Sequence, residues 1–158
     1  FWCTRLISAG KPFKFCAKKE WNGDFTNLGA EDTGFTVADN NCTVAETGVY
    51  TIVVDIKGAK ITIAKAEVFG IGDAFGSWDA GKYPFTINED GTATITTAAA
   101  GNLRMYTAVP GVDWWQAEYN IYDGKIQYRG EGGDQAAVSV AANATVTVNF
   151  NAGTGEIK

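Results

Sequence analysis

The sequence predicts an all-β protein built from two repeated β-sandwich modules. Apolar and polar residues alternate with period two along almost every segment, as in Thr145-Val146-Thr147-Val148-Asn149-Phe150. β-Branched and aromatic residues fill these runs, and Gly, Asn and Asp interrupt them at about eight- to twelve-residue intervals. No stretch sustains a helical period over the ~12 residues that would mark a helix. The third observation is an internal repeat, which divides the chain in two.

Along the chain, turn signals fall at Ala9-Gly10, Lys57-Gly58, Asp90-Gly91, Ala100-Gly101 and Asp123-Gly124. Ala9-Gly10-Lys11-Pro12-Phe13-Lys14-Phe15 matches Ala100-Gly101-Asn102-Leu103-Arg104-Met105, with Pro12 as an insertion, so Lys14 falls on Arg104. The segment from Val44 to Asp55 lies over the segment from Val138 to Asn149. Ile61-Thr62-Ile63 and Gly155-Glu156-Ile157 close the two copies. The modules are therefore expected at 1–64 and 65–158. The first begins late, since Phe1 falls opposite Thr92, and it lacks an opening strand and the loop that follows. The full protein is expected to continue upstream of Phe1. The join near Ala64-Lys65 contains neither Gly nor Pro and reads as a rigid connection.

A two-residue Ala9-Gly10 turn would set Leu6 against Phe13, Thr4 against Phe15 and Cys3 against Cys16. That last pair would lie within reach of a disulfide, although two unpaired thiols at an ordinary sheet surface are the expectation.

Composition excludes several functions. The net charge is -5 with no basic block, so no nucleic-acid partner is expected. No apolar run approaches the ~18 residues that span a bilayer. Histidine is absent, which removes the commonest general base and neutral metal ligand. The three cysteines, Cys3, Cys16 and Cys42, show no C-x-x-C spacing. Neither cofactor nor metal is expected. Gly130-Glu131-Gly132-Gly133-Asp134 has neither phosphate-loop context nor EF-hand spacing. Carboxylates such as Asp79, Glu89, Asp113 and Glu118 are available to a glycosidase, but nothing in the sequence sets two of them across a cleft. Catalysis is not expected.

Aromatics make up 13% of the chain, with five Trp, more than two small cores need. Sugars stack their axial C–H groups on flat rings and need planar or charged partners for their hydroxyls. Covering ~100 Å² of ring supplies roughly 2.5 kcal/mol. Association costs at least about 4 kcal/mol, so a site requires two rings or one ring with several hydrogen bonds. Trp114 and Trp115 are adjacent and, in an extended segment, point to opposite sides, one to the core and one outward. Trp115 is taken as the platform; a structural role for both is the competing reading. Copy one has only Trp21 in this region. Arg104 alternates with Leu103 and Met105 and so projects from the non-core face, as does Lys14 in copy one. Arg129 follows Tyr128 ahead of the Gly-rich turn. Each guanidinium offers a fixed fork of donors suited to vicinal hydroxyls, against the plainer reading of a solvated cation. Trp78, in a Gly-rich loop, either joins the site or plugs the end of a sandwich. Tyr128, Tyr106, Lys125 and Gln135 are secondary candidates.

The order of these pieces resembles a family. Val68-Phe69-Gly70-Ile71-Gly72-Asp73-Ala74-Phe75-Gly76-Ser77-Trp78-Asp79 is similar to the opening strand and loop of modules in the SusE/SusF-type surface glycan-binding lipoproteins. Asp113-Trp114-Trp115-Gln116, Gly124-Lys125-Ile126 and the run from Tyr128 to Gln135 resemble the C-terminal module of that family. Phe1-Trp2, Ala9-Gly10-Lys11, Phe13-Lys14-Phe15 and Trp21 are similar to a preceding module. The resemblance implies tandem immunoglobulin-like β-sandwiches that bind starch or a related glycan without turning it over. It further implies an outer-membrane, cell-surface location beside a TonB-dependent importer, with membrane contact only through a lipid anchor upstream of this chain. Similar basic positions serve sugar binding in the family, which adds weight to Arg104 and Arg129. A structural spacer or protein-interaction sandwich, such as an adhesin domain, is the alternative function.

Overall fold

The computed structural model describes residues 1–20 and 22–158; Trp21 lies outside the described residues. Its described elements are β-strands and two short 3-10 turns, Asp73–Phe75 and Trp114–Ala117, so the chain is all-β. It divides into two compact units, Phe1–Lys65 and Ala66–Lys158.

The first unit carries strands β1 (Trp2–Ile7), β2 (Phe15–Cys16), β3 (Asp24–Phe25), β4 (Thr36–Ala38), β5 (Asn41–Thr43), β6 (Gly48–Asp55) and β7 (Lys60–Lys65). β1, β6 and β7 form an antiparallel sheet with β6 in the centre, and β2–β3 and β4–β5 are separate pairs. The alternation of β7 buries Ile61 and Ile63 on one face. Around them pack Val44, Tyr50 and a set of Phe rings. Phe15 stacks on Phe25 at 5.5 Å and meets Phe13 and Phe35 edge-on at 5.8 and 6.3 Å.

The expected hairpin at Ala9-Gly10 does not form. Gly10 has φ +66 and Lys11 N–H bonds the Ser8 carbonyl, so the chain does turn there. The turn's other donors are taken elsewhere: Ala9 N–H by Thr47 Oγ1 at 2.9 Å and Gly10 N–H by the Val44 carbonyl at 3.1 Å. Pro12 has no N–H to offer a ladder. β1 pairs instead with β6, setting Cys3 opposite Ile52, while Phe13 bridges Cys42. Cys3 and Cys16 are therefore exposed free thiols.

The second unit carries β8 (Val68–Gly70), β9 (Tyr83–Pro84), β10 (Thr86–Ile87), β11 (Thr92–Thr96), β12 (Gly101–Asn102), β13 (Met105–Thr107), β14 (Glu118–Tyr122), β15 (Lys125–Tyr128), β16 (Ser139–Val140), β17 (Thr145–Asn149) and β18 (Thr154–Ile157). Nine of these form one sheet in the order β10-β11-β17-β18-β15-β14-β13-β8-β9, and β12 pairs with β16. Its core includes Val68, Ile71, Phe75, Leu103, Met105, Tyr119, Val146 and Val148. Asp123 and Gly124 both have positive φ, +50 and +73, the requirement of a two-residue hairpin turn. That turn fixes Tyr122 against Lys125, and hence the β14–β15 register.

The repeat holds in the ladders. Ile52 pairs with Ile63 in the first unit and Val146 with Ile157 in the second, each residue displaced by 94. Phe15 faces Phe25 where Met105 faces Tyr119. One difference bears on the site. β13 lies between β14 and β8, whereas β2 pairs with β3 alone among the described strands.

Candidate functional site

Three neighbouring strands of the second unit build the site. Leu103 and Met105 are buried on the core side, so Arg104, just ahead of β13, projects from the other face. Tyr106 pairs with Glu118 across β13 and β14, which puts Arg104 diagonal to Glu118 on one face. Tyr119 pairs with Tyr128 across β14 and β15, so Glu118 also faces Arg129, whose N–H bonds the Glu118 carbonyl at 2.9 Å. The central carboxylate thus receives one guanidinium from each side. Arg104 Nη1 donates to Glu118 Oε1 at 2.8 Å and Arg129 Nη1 to Oε2 at 2.9 Å. The Glu118 side chain is only 2% exposed, and those of Arg104 and Arg129 are 20% and 14% exposed. A carboxylate buried to that degree is tolerable because both oxygens are taken by cations.

Asp134 closes the arrangement from outside. Its Oδ1 lies 2.8 Å from Arg129 Nη1 and 3.3 Å from Arg104 Nη1, with its side chain 67% exposed. The loop that carries it is tied down by Tyr122, whose hydroxyl donates to the Ala136 carbonyl, and by Gln135, whose Nε2 donates to the Gln127 carbonyl. The Arg104 hydrogen bond, with the charges of both arginines, holds the Asp134 carboxyl below its usual value. The stability this provides is present above the unfolded carboxyl value and lost as pH falls through the depressed folded one.

Aromatic rings border this network. Trp114 and Trp115 begin a 3-10 turn, Trp114–Ala117, rather than an extended segment. The turn is tied by Gln116 N–H to the Asp113 carbonyl at 3.0 Å and by Asp113 N–H to Gln116 Oε1 at 3.3 Å. Neither indole enters the core; both are half-buried and they serve different neighbours. Trp114 lies 6.1 Å from Tyr106 and 6.2 Å from Trp78, and Tyr106 stacks on Phe69 at 5.5 Å. Trp115 lies beneath Arg129, whose Cζ is 5.1 Å from the ring centre, and Arg104 is 5.7 Å from Trp78 in the same manner. Trp78 is 56% exposed and forms part of this face.

Gly72 places Trp78. Its backbone, at φ 89 and ψ -152, occupies a region essentially closed to other residues. A Cβ there would sit 3.2 Å from the indole ring. Gly72→Ala is expected to cost about 2–3 kcal/mol and to displace Trp78. Thermal melting together with the tryptophan emission spectrum checks this, and an unchanged spectrum would contradict it.

Five of the sequence candidates, Trp78, Arg104, Trp114, Trp115 and Arg129, come together. Tyr128 does not join them. It packs on Tyr119 at 5.4 Å, on the side of β14 from which Tyr119 meets Phe150, away from Glu118. Lys125 lies at the Asp123-Gly124 end of β15, opposite to Arg129, and Tyr106 is buried beneath Trp114. The sequence reading weighs Glu118 only as a glycosidase carboxylate and Asp134 only within a calcium- or phosphate-loop run, and it gives neither a place beside the arginines. The Asp123-Gly124 turn held the signal for Glu118, because the register it sets makes residues 118 and 129 face each other.

The first unit has a reduced version. Lys14 Nζ donates to Asp24 Oδ2 at 2.8 Å, at the positions that the repeat assigns to Arg104 and Glu118.

The chain is similar to known proteins in sequence and in fold. The family model described as "SusF/SusE starch specific CBMs" matches residues 67–156. The outer membrane protein SusF of Bacteroides thetaiotaomicron is 32% identical over 176 aligned positions, covering 100% of this chain and 36% of that protein. The crystal structure of SusF from the same organism superposes with a TM-score of 0.87 at 30% identity, covering 100% of this chain and 40% of that one. The chain thus spans little more than a third of the curated relative's length.

Proposed function

The chain belongs to the SusF/SusE family of starch-specific carbohydrate-binding modules, and on that footing we propose that its second unit captures an α-glucan without turning it over. The observation that carries this reading is the convergence of Trp78, Trp114 and Trp115 on one face with the Arg104–Arg129 pair. The indoles supply flat apolar faces for the sugar rings. The guanidiniums, already fixed by Glu118, offer N–H donors to hydroxyls with little further loss of side-chain freedom. We read the unit as a binder and not an enzyme, in keeping with the family's description as carbohydrate-binding modules; Glu118, with an arginine on each oxygen, is given a structural role. The first unit is read as silent: among the described residues the matching position holds the single Lys14–Asp24 pair in place of two arginines, and its sequence lacks the doubled Trp and the Tyr-Arg-Gly-Glu-Gly-Gly segment. The cell-surface location, an upstream lipid anchor and a place beside a TonB-dependent importer belong to the same proposal. The relative's name as an outer membrane protein supports the first of these.

Native electrophoresis through gels containing soluble starch tests the reading. The wild-type protein should be retarded relative to a gel without polysaccharide, Arg104→Ala should run nearly free, and Lys14→Ala should run as wild type. Equal mobility of all three in both gels would favour the spacer reading.

A further inference from the structure

We propose that Asp134 is a specificity-determining residue that balances the charge of the arginine pair and thereby turns away acidic glycans. This rests on the reading that the Arg104–Arg129 pair faces sugar. Two guanidiniums beside an aromatic surface would by themselves attract a uronic-acid carboxylate, since the fork geometry matches a carboxylate better than a neutral hydroxyl pair. In this chain both guanidiniums already hold carboxylates. Glu118 takes one contact from each arginine on the buried side, and Asp134 takes one from each on the exposed side. The four side chains sum to zero charge. A neutral glycan can approach with its hydroxyls as donors and acceptors and leave no charge uncompensated. A uronate must either displace Asp134 or become a third carboxylate beside two others, and like charges at that separation repel.

The two carboxylates differ in a way that assigns this role to Asp134. Glu118 is buried and belongs to a central strand, so it supports the arginines. Asp134 is on the exposed Gly-rich segment, where its removal uncovers the outer side of the pair without emptying a buried position. It stands where an incoming carboxylate would bind.

The test compares wild type, Asp134→Asn and Asp134→Ala by calorimetric titration with maltoheptaose and with hexagalacturonate at low ionic strength. Glu89→Gln, an exposed carboxylate between β10 and β11 at the sheet edge, with β17 and β18 between β11 and β15, controls for the change in total charge. Both Asp134 variants should raise the affinity ratio of hexagalacturonate to maltoheptaose at least tenfold over wild type. The gain should collapse in 0.5 M salt, and Glu89→Gln should leave the ratio unchanged. Failure of both Asp134 variants to gain hexagalacturonate binding overturns the proposal, as does wild-type binding of both glycans alike. If wild type binds no maltoheptaose but the variants gain the acidic glycan, the role of Asp134 stands and the α-glucan reading falls. If wild type binds maltoheptaose and the variants gain nothing, the reverse holds.

Discussion

Glu118→Ala is expected to destabilise the second unit by about 3 kcal/mol and to abolish glycan binding. Removing one partner of a buried ion pair costs roughly 3–5 kcal/mol, because it leaves the other charge desolvated and unpaired. Here two arginines lose their shared anchor at once. Both keep Asp134, and both are partly exposed, so the lower end of that range applies. For a unit of this size the cost corresponds to a fall in Tm of about 12–24 °C. Glu118→Gln, which keeps an oxygen acceptor but no charge, should fall between Ala and wild type. Thermal unfolding followed by near-ultraviolet circular dichroism measures it. A change below about 1 kcal/mol would mean that the arginines are held by their strands and not by this carboxylate.

Trp115→Ala is expected to weaken α-glucan binding by about 70-fold while leaving the protein folded. The loss follows from ~100 Å² of ring surface at roughly 25 cal/mol per Å², about 2.5 kcal/mol. The indole also carries Arg129, whose guanidinium rests 5.1 Å from its centre, so its removal frees a donor group as well as a platform. Trp115→Phe should recover part of the loss. Trp114→Ala differs in kind, because that ring leans on Tyr106 and Trp78, and its removal should lower Tm along with affinity. Titration calorimetry beside melting curves separates the two. Equal affinity in wild type and Trp115→Ala would assign stacking to Trp78 and Trp114 instead.

Much of the fold could be read from the chain because the information was local. The Asp123-Gly124 turn and the alternation beside it set one register, and the closing strands of both copies keep theirs with the displacement of 94 that the repeat shows. The projection of Arg104 followed from its buried neighbours, Leu103 and Met105. What sequence reasoning missed depended on pairing between distant segments. The Ala9-Gly10 turn is present, but its N–H groups bond to Thr47 and Val44, and β1 finds β6 some fifty residues on. The Trp114-Trp115 step is governed by a single 3-10 turn, too short to leave a periodic signal. Asp134 meets the arginines through a loop whose path no alternation could set.

One face of the second unit, formed by the three indoles and the arginine pair, is proposed to bind an α-glucan. Isothermal titration of the wild-type protein with maltoheptaose, repeated with the double variant Arg104→Ala/Trp115→Ala, tests it most directly. Micromolar-to-millimolar binding at one site in wild type, absent from the folded double variant, is the predicted result. Undiminished binding by the double variant, or no heat from either protein, would contradict it.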